Sequence, residues 1–169
     1  MSNTAKAQSG ATYDPKNLLT IETKYGKVLI ELMPQIAPEH VKRIKILADR
    51  GFYDNVVFHR VIDGFMAQTG DPTGTGTGGS ELADLRAEFS SEPHIRGAVS
   101  MARAANPNSA NSQFFIVLDD SRFLDGQYTV FGRVIEGMES VDKIRKGDRA
   151  QNGMVNHPDK MIKVRSGKF

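Results

Sequence analysis

Cysteine is absent from the 169 residues. With it go disulfides, thiol nucleophiles and cysteine-based zinc sites, a loss that costs a cytosolic protein nothing. No apolar run approaches the roughly 18 residues that a membrane-spanning helix needs, so no membrane partner is expected. The polar segment 1–17 lacks an apolar stretch of about 7 residues or more, which excludes a secretory signal and makes a cytoplasmic location the expectation. No G-x-S-x-G elbow is present to anchor a serine hydrolase. His40, His59, His94 and His157 are far apart in the chain and form no H-E-x-x-H pair. Neither a metal nor a cofactor is therefore expected. Charge of one sign is scarce too: 22 Lys and Arg against 20 Asp and Glu leave a net +2. That is far from the concentrated basic field that nucleic-acid binding requires. The basic residues of 143–169 are spread out and read as a solvated face.

What is present is the composition of a soluble globular protein, 39% hydrophobic and 25% charged, long enough for one domain. Residues 1–17 read as a flexible tail and residues 18–169 as the folded, monomeric domain. Residues 19–23 and 27–32 alternate apolar and polar side chains around a short glycine-containing link, the pattern of a β-hairpin. Pro38 and Glu39 suit the first turn of a helix; Val41, Ile44, Leu47 and Ala48 then recur at helical spacing until Gly51. Short β-like runs follow at 56–62, 65–69, 97–102, 113–118, 129–135 and 161–164. A second helix is expected at 138–145. Many short strands with only two helices argue for an antiparallel barrel or sandwich rather than a βαβ array. Closing the sheet would also dispose of its edges.

Two features imitate chemistry. Gly74 to Gly79 formally satisfies G-x-G-x-x-G, but no strand and helix of a βαβ unit flank it, so it reads as a mobile surface loop. Asp119 and Asp120 are adjacent, and neighbours on an extended chain point to opposite sides, so the pair cannot work on one atom.

Two stretches place polar side chains inside runs that would otherwise be plain strands. The first, residues 58–71, reads F-H-R-V-I-D-G-F-M-A-Q-T-G-D, with Arg60 in an apolar strand and Gly64 permitting a turn before Phe65, Met66 and Gln68. The second comprises S-M-A-R at 100–103, N-S-Q-F-F-I at 111–116 and F-L-D-G-Q-Y-T-V-F-G at 123–132. Taken singly, Phe65, Met66, Phe115 and Leu124 read as ordinary core. Taken together and in order, from about residue 19 to 164, the runs resemble the cyclophilin family of peptidyl-prolyl cis-trans isomerases, in their bacterial single-domain form.

The resemblance implies a mainly β fold, a closed eight-stranded antiparallel β-barrel capped by two α-helices, with substrate in a groove on the outer face. It implies an isomerase that accelerates rotation about X-Pro bonds in flexible or unfolded segments of other proteins and so assists folding. By carry-over at matching positions, Arg60 is the catalytic residue, and Phe65, Met66, Phe115 and Leu124 line the proline pocket. Gln68 and Gln113 orient the substrate backbone, and Ala102 with Arg103 forms the rim beside the residue before proline. Three positions depart from the common pattern. Phe123 stands where many members have tryptophan, losing an indole N–H donor, so cyclosporin-like inhibitors are expected to bind weakly. Tyr128 stands where many have histidine and keeps an aromatic wall with a polar tip. Arg103 replaces an asparagine. The rival readings are a proline-binding module or holding chaperone, against which Arg60 argues, and a nucleotide site at Gly74 to Gly79.

Overall fold

The computed structural model describes residues 5–6 and 12–169. The tail expected over residues 1–17 lies partly outside them. Within it, Ala5–Lys6 ladders with Thr12–Tyr13 and a 3-10 turn runs Pro15–Asn17. The domain is one eight-stranded antiparallel sheet. Its strands, in chain order, are β1 (Leu18–Thr23), β2 (Gly26–Leu32), β3 (Arg60–Ile62), β4 (Met66–Thr69), β5 (Ala98–Met101), β6 (Phe114–Val117), β7 (Val130–Glu136) and β8 (Lys163–Ser166). They lie side by side as β8-β1-β2-β7-β5-β6-β4-β3.

All eight strands send side chains into a single buried cluster, among them Ile21, Ile30, Val61, Ala67, Val99, Phe114, Phe131 and Val164. Strands spaced about 4.8 Å apart would spread those side chains over a width that no short helix could cover, so the sheet must curl around them. Inside, the Phe114 ring meets Tyr53 and Phe131 edge-on, at 5.5 Å and 6.0 Å. Helix α1 (Pro38–Asp49) packs against β8 and buries His40, Val41, Ile44, Leu47 and Ala48, the stripe that its apolar spacing predicts. Its N-cap, Ala37, supplies no side-chain bond. The carboxylate of Glu88 does so from a distant loop, accepting from the N–H groups of Glu39 and His40 at 3.3 and 2.9 Å. Helix α2 (Met138–Asp142) packs on β2 and is shorter than its periodicity predicts. Gly137 precedes it at φ +87°, where a Cβ would lie 2.2 Å from the Lys27 carbonyl oxygen, so only glycine fits.

The expected closure of the barrel is corrected: the strand order is linear, with β8 at one end and β3 at the other. The sheet is therefore a curled half-barrel, open rather than closed. The reason lies in two interruptions. The expected strand at 56–62 breaks at Phe58 and His59, whose backbone bonds go to Asp159 and Val155. The one at 161–164 breaks at Ile162, whose N–H donates to Glu22. A separate two-residue ladder, Val56–Val57 with Lys160–Met161, crosses the seam. The free edge of β3 is satisfied instead by the irregular stretch 147–155: Gly147 donates to Val61, and Val61 donates to Gly153. That stretch also reaches the turn after β3, where the Arg149 guanidinium donates to the Asp63 carbonyl.

Candidate active site

The ladder registers put a row of side chains across four strands. Arg60 of β3 pairs with Gln68 of β4, Gln68 with Phe115 of β6, and Phe115 with Ser100 of β5. Alternation along a strand makes such a row share one face. It is the outer one, since the neighbours Val61, Ala67, Phe114 and Val99 all belong to the interior cluster. The same outer face carries a second apolar cluster of Ile62, Met66, Ala98, Phe115, Val117 and Leu124, edged by half-buried Phe65, Ala102 and Tyr128. The six are at most 9% exposed and form a second small core on this face, and the half-buried residues at its edge are the part that solvent reaches.

At its centre is a hollow of about 150 Å3 lined by Arg60, Phe65, Met66, Gln68, Ala102, Arg103, Phe115, Leu124 and Tyr128. Nine of the eleven residues expected at the site thus surround one space. The other two adjoin it. Gln113 faces a neighbouring cavity of about 510 Å3. Phe123 stands 67% exposed at the rim, its ring 5.6 Å from that of Phe65.

Arg60 is held from two sides. Its Nη1 donates to Gln68 Oε1 at 3.1 Å, its Nε to the Asn152 carbonyl at 2.9 Å and its Nη2 to Asn152 Oδ1 at 3.2 Å. Three bonds use three of the five N–H groups of a guanidinium and leave two for a ligand. Burial pulls the Arg60 pKa below its ordinary value, Tyr128 acting the other way. Arginine still remains charged wherever the protein is folded. Asn152 holds a left-handed φ of +58° at the end of the 3-10 turn Arg149–Gln151. Gly153 follows at φ +77°, with a position where a Cβ would come within 2.4 Å of Ile62 Cγ1. Sequence reasoning missed Asn152. The Asn-Gly step marks a turn, but nothing in it announces a partner 92 positions away.

A second set of bonds fixes the other side of Arg60. Gln68 Nε2 donates to Gln113 Oε1 at 2.9 Å, and Gln113 Nε2 donates to the carbonyls of Gly76 and Gly78 at 3.1 and 2.9 Å. The glycine run itself is wrapped around the fully buried carboxylate of Asp71, which accepts from the N–H groups of Thr73, Gly76 and Gly78 and from the Thr73 hydroxyl. Burial alone would raise the Asp71 pKa; the bonds from Gly78, Thr73 and Gly76 outweigh it and hold it at about 2. The amides that could have cradled a phosphate are thus spent on an internal anion. The run is a pinned loop, where a mobile one was expected.

Arg103 lies over the Tyr128 ring at 4.6 Å, and its Nε and Nη2 donate to the Gln127 carbonyl at 3.1 and 2.8 Å. Its charge therefore braces the rim, and Tyr128 with it. Among the described residues no three His, Asp or Glu side chains converge as metal ligands, and no helix is long and apolar enough to cross a membrane.

Comparison with known proteins gives a consistent result. The family model described as cyclophilin type peptidyl-prolyl cis-trans isomerase/CLD matches residues 18–166. A protein of Brucella suis named as a probable peptidyl-prolyl cis-trans isomerase is 54% identical, the alignment covering 93% of this chain and 86% of the relative. Among solved structures, the cyclophilin AquaCyp293 from Hirschia baltica is 32% identical with a TM-score of 0.81, over 91% of this chain and 75% of that one. A cyclophilin type peptidyl-prolyl cis-trans isomerase of Cryptosporidium parvum, solved in the presence of the dipeptide Ala-Pro, is 31% identical with a TM-score of 0.82, over 90% of this chain and 99% of that one.

Proposed function

The chain belongs to the cyclophilin-type peptidyl-prolyl cis-trans isomerases, and from that premise we propose that it isomerises X-Pro bonds by aiming Arg60 at the proline nitrogen above an apolar cup. Amide resonance gives the X-Pro bond a rotational barrier of roughly 18–20 kcal/mol. At the twisted transition state resonance is lost and the lone pair returns to the proline nitrogen, which becomes an acceptor it was not before. A guanidinium N–H aimed there bonds more strongly in the transition state than in the ground state, the condition for catalysis. No proton needs to move.

Each part of the site has a task in this reading. Phe65, Met66, Phe115 and Leu124 grip the ring, whose burial contributes about 1.5–3 kcal/mol. The acyl side then rotates against a fixed partner. Gln68 and Gln113 orient the substrate backbone, Gln68 through its one unspent amide N–H and Gln113 through its amide oxygen, since both Gln113 N–H groups go to Gly76 and Gly78, while Ala102 and Arg103 border the residue before proline. A turnover of about 10³ per second would require about 7 kcal/mol off the barrier. The observation that carries the reading is Arg60 itself: two N–H groups unspent, at the wall of a hollow with room for one small ring, facing the apolar side chains of Phe65, Met66, Phe115 and Leu124. The site lies on an outer face, so the substrates are flexible or unfolded protein segments, and in the cell the activity assists folding.

The test is the cis-to-trans rate of a short Ala-Pro-Phe peptide at low temperature, where the uncatalysed step is slow. Arg60→Ala is expected to lower kcat/KM by two to three orders of magnitude or so with little change in Tm. An Arg60→Ala variant as fast as the parent chain would refute the mechanism.

A further inference from the structure

Behind the hollow lies a fully buried imidazole that the reading above leaves without a task. His94 sits on the irregular stretch before β5. Its Nδ1 is 3.0 Å from Asp125 Oδ1, its Nε2 is 2.9 Å from Ser100 Oγ, and its backbone N–H donates to Asp125 Oδ1 at 2.7 Å. These are the atoms of a Ser-His-Asp triad. Ser100 is wholly buried, however, so no carbonyl can reach its Oγ and nucleophilic attack is excluded. What the imidazole touches is the hollow. It stacks on Phe115 at 6.2 Å and 19°, and it meets Tyr128 edge-on at 6.4 Å. Asp125, its anchor, directly follows the wall residue Leu124 and is itself fixed by an ion pair with Arg122.

We propose that His94 is a positioning residue of the proline hollow: its bonds to Asp125 and Ser100 set the plane against which Phe115 and Tyr128 are held. The inference rests on the proline-pocket reading and deepens it. Three walls, Phe115, Leu124 and Tyr128, are tied to one side chain that no substrate touches. Proton counting adds a consequence. Ser100 Oγ is also placed to donate to the Thr129 carbonyl, at 3.1 Å. The bonds to Asp125, Ser100 and Thr129 together need three hydrogens, and a neutral imidazole with one hydroxyl supplies two. In the neutral state Nδ1–H serves Asp125 and the Ser100 hydroxyl turns to Nε2; Thr129 keeps its bond from the Met101 N–H. On protonation all three bonds form and the hydroxyl swings to Thr129. The groups facing the ring are Asp125, with Arg122 behind it, and Tyr128, with Arg103 above it. Burial keeps His94 below the usual histidine range, the Asp125 bond acting the other way, so the neutral arrangement prevails at pH 7.

Two measurements test this. In His94→Phe the ring remains but both side-chain bonds are lost. KM for the Ala-Pro-Phe peptide is expected to rise about two- to tenfold, the weight of one or two hydrogen bonds, with kcat within about twofold. His94→Gln, which can still reach Ser100, should recover part of the loss. Unchanged KM in folded variants overturns the proposal. If the variants do not fold, the unaltered protein decides: by linkage, saturating peptide must move the midpoint of the His94 NMR titration, and peptide Kd must change by the same factor across it. An identical midpoint with and without peptide overturns the proposal. In the same spectra, peptide that binds without perturbing Phe115 and Leu124 would show that the hollow itself is misread, an outcome distinct from failure of the His94 role.

Discussion

Asn152→Gly isolates one contact in the support of Arg60. The substitution removes Oδ1, and with it the 3.2 Å bond to Nη2, while the backbone carbonyl that accepts from Nε at 2.9 Å stays in place. Glycine adopts the φ of +58° at this position without penalty, whereas alanine would add about 1–2 kcal/mol of left-handed strain and confuse the result. A hydrogen bond to a charged group contributes about 1.5–3 kcal/mol when well shielded. This one is exposed, and Gln68 and the Asn152 carbonyl still hold the guanidinium, so about 1 kcal/mol is the expected loss of transition-state stabilisation. That corresponds to about a fivefold fall in kcat, with KM nearly unchanged because the apolar cup is untouched. The assay is exchange spectroscopy on an Ala-Pro peptide, read beside a thermal melt. Activity within experimental error of the parent chain would mean that Arg60 is oriented without the side chain of Asn152. A loss as deep as that of Arg60→Ala would mean that the stretch 147–155 had collapsed, which the melt would reveal.

Asp71→Asn places an amide N–H2 among N–H donors and should lower stability by about 2–3 kcal/mol, or roughly 5–10 °C in Tm. The sign of its pH dependence is fixed: the folded-state pKa of about 2 lies below the unfolded value near 3.9, so the stabilisation is complete above about pH 4 and is lost as pH falls through 2. The gap between parent and variant should therefore close in acid, and a gap constant from pH 6 to 2 would contradict the carboxylate's role. Phe123→Trp restores an indole N–H at the exposed rim and is expected to raise cyclosporin affinity up to about tenfold in a calorimetric titration, with kcat little changed; no gain would mean that the rim does not reach the inhibitor.

Much of this arrangement can be read from the chain, and the parts that cannot share a cause. The alternation in β1 and β2 and the helical stripe of α1 are local patterns, and they appear where their periods place them. The run Phe114 to Val117 is apolar throughout, which marks a strand buried on both faces. It does not say that Phe114 and Ile116 turn inward while Phe115 and Val117 build an outer wall; that needs the registers of β4 and β5. Asn152 goes unread in the sequence, and His94 is weighed there only as a metal ligand, because the partners of each are brought near only by folding; the partners of Asp71 are local, but a lone polar residue in a loop carries no periodic signal to announce them. The closed barrel failed for a similar reason: whether β3 pairs with β8 or with the stretch 147–155 depends on a competition between distant segments that neither pattern encodes.

The geometry of the sheet also explains how so shallow a site can hold its donors still. Neighbouring strands lie about 4.8 Å apart, so Arg60 on β3 and Phe115 on β6, with β4 between them, are separated by about 10 Å at the backbone. That is the span of one residue with its contacts on either side. On the proposed reading, the proline ring lies across β4, over Met66 and Gln68, and the ladder itself sets the distance from the guanidinium to the aromatic wall. The hydrogen bonds then remove what rotational freedom remains: Asn152 holds Arg60 from the open edge, and Gln68, Gln113 and the loop around Asp71 hold it from within. Donors fixed in advance need no reorganisation as charge develops on the proline nitrogen, which is how exposed hydrogen bonds, each weak against water, can together lower a barrier. The same reasoning predicts where the site is fragile. A one-residue slip of β4 would turn Met66 and Gln68 into the core and bring Ala67 to the outer face, removing the cup and the orienting amide together.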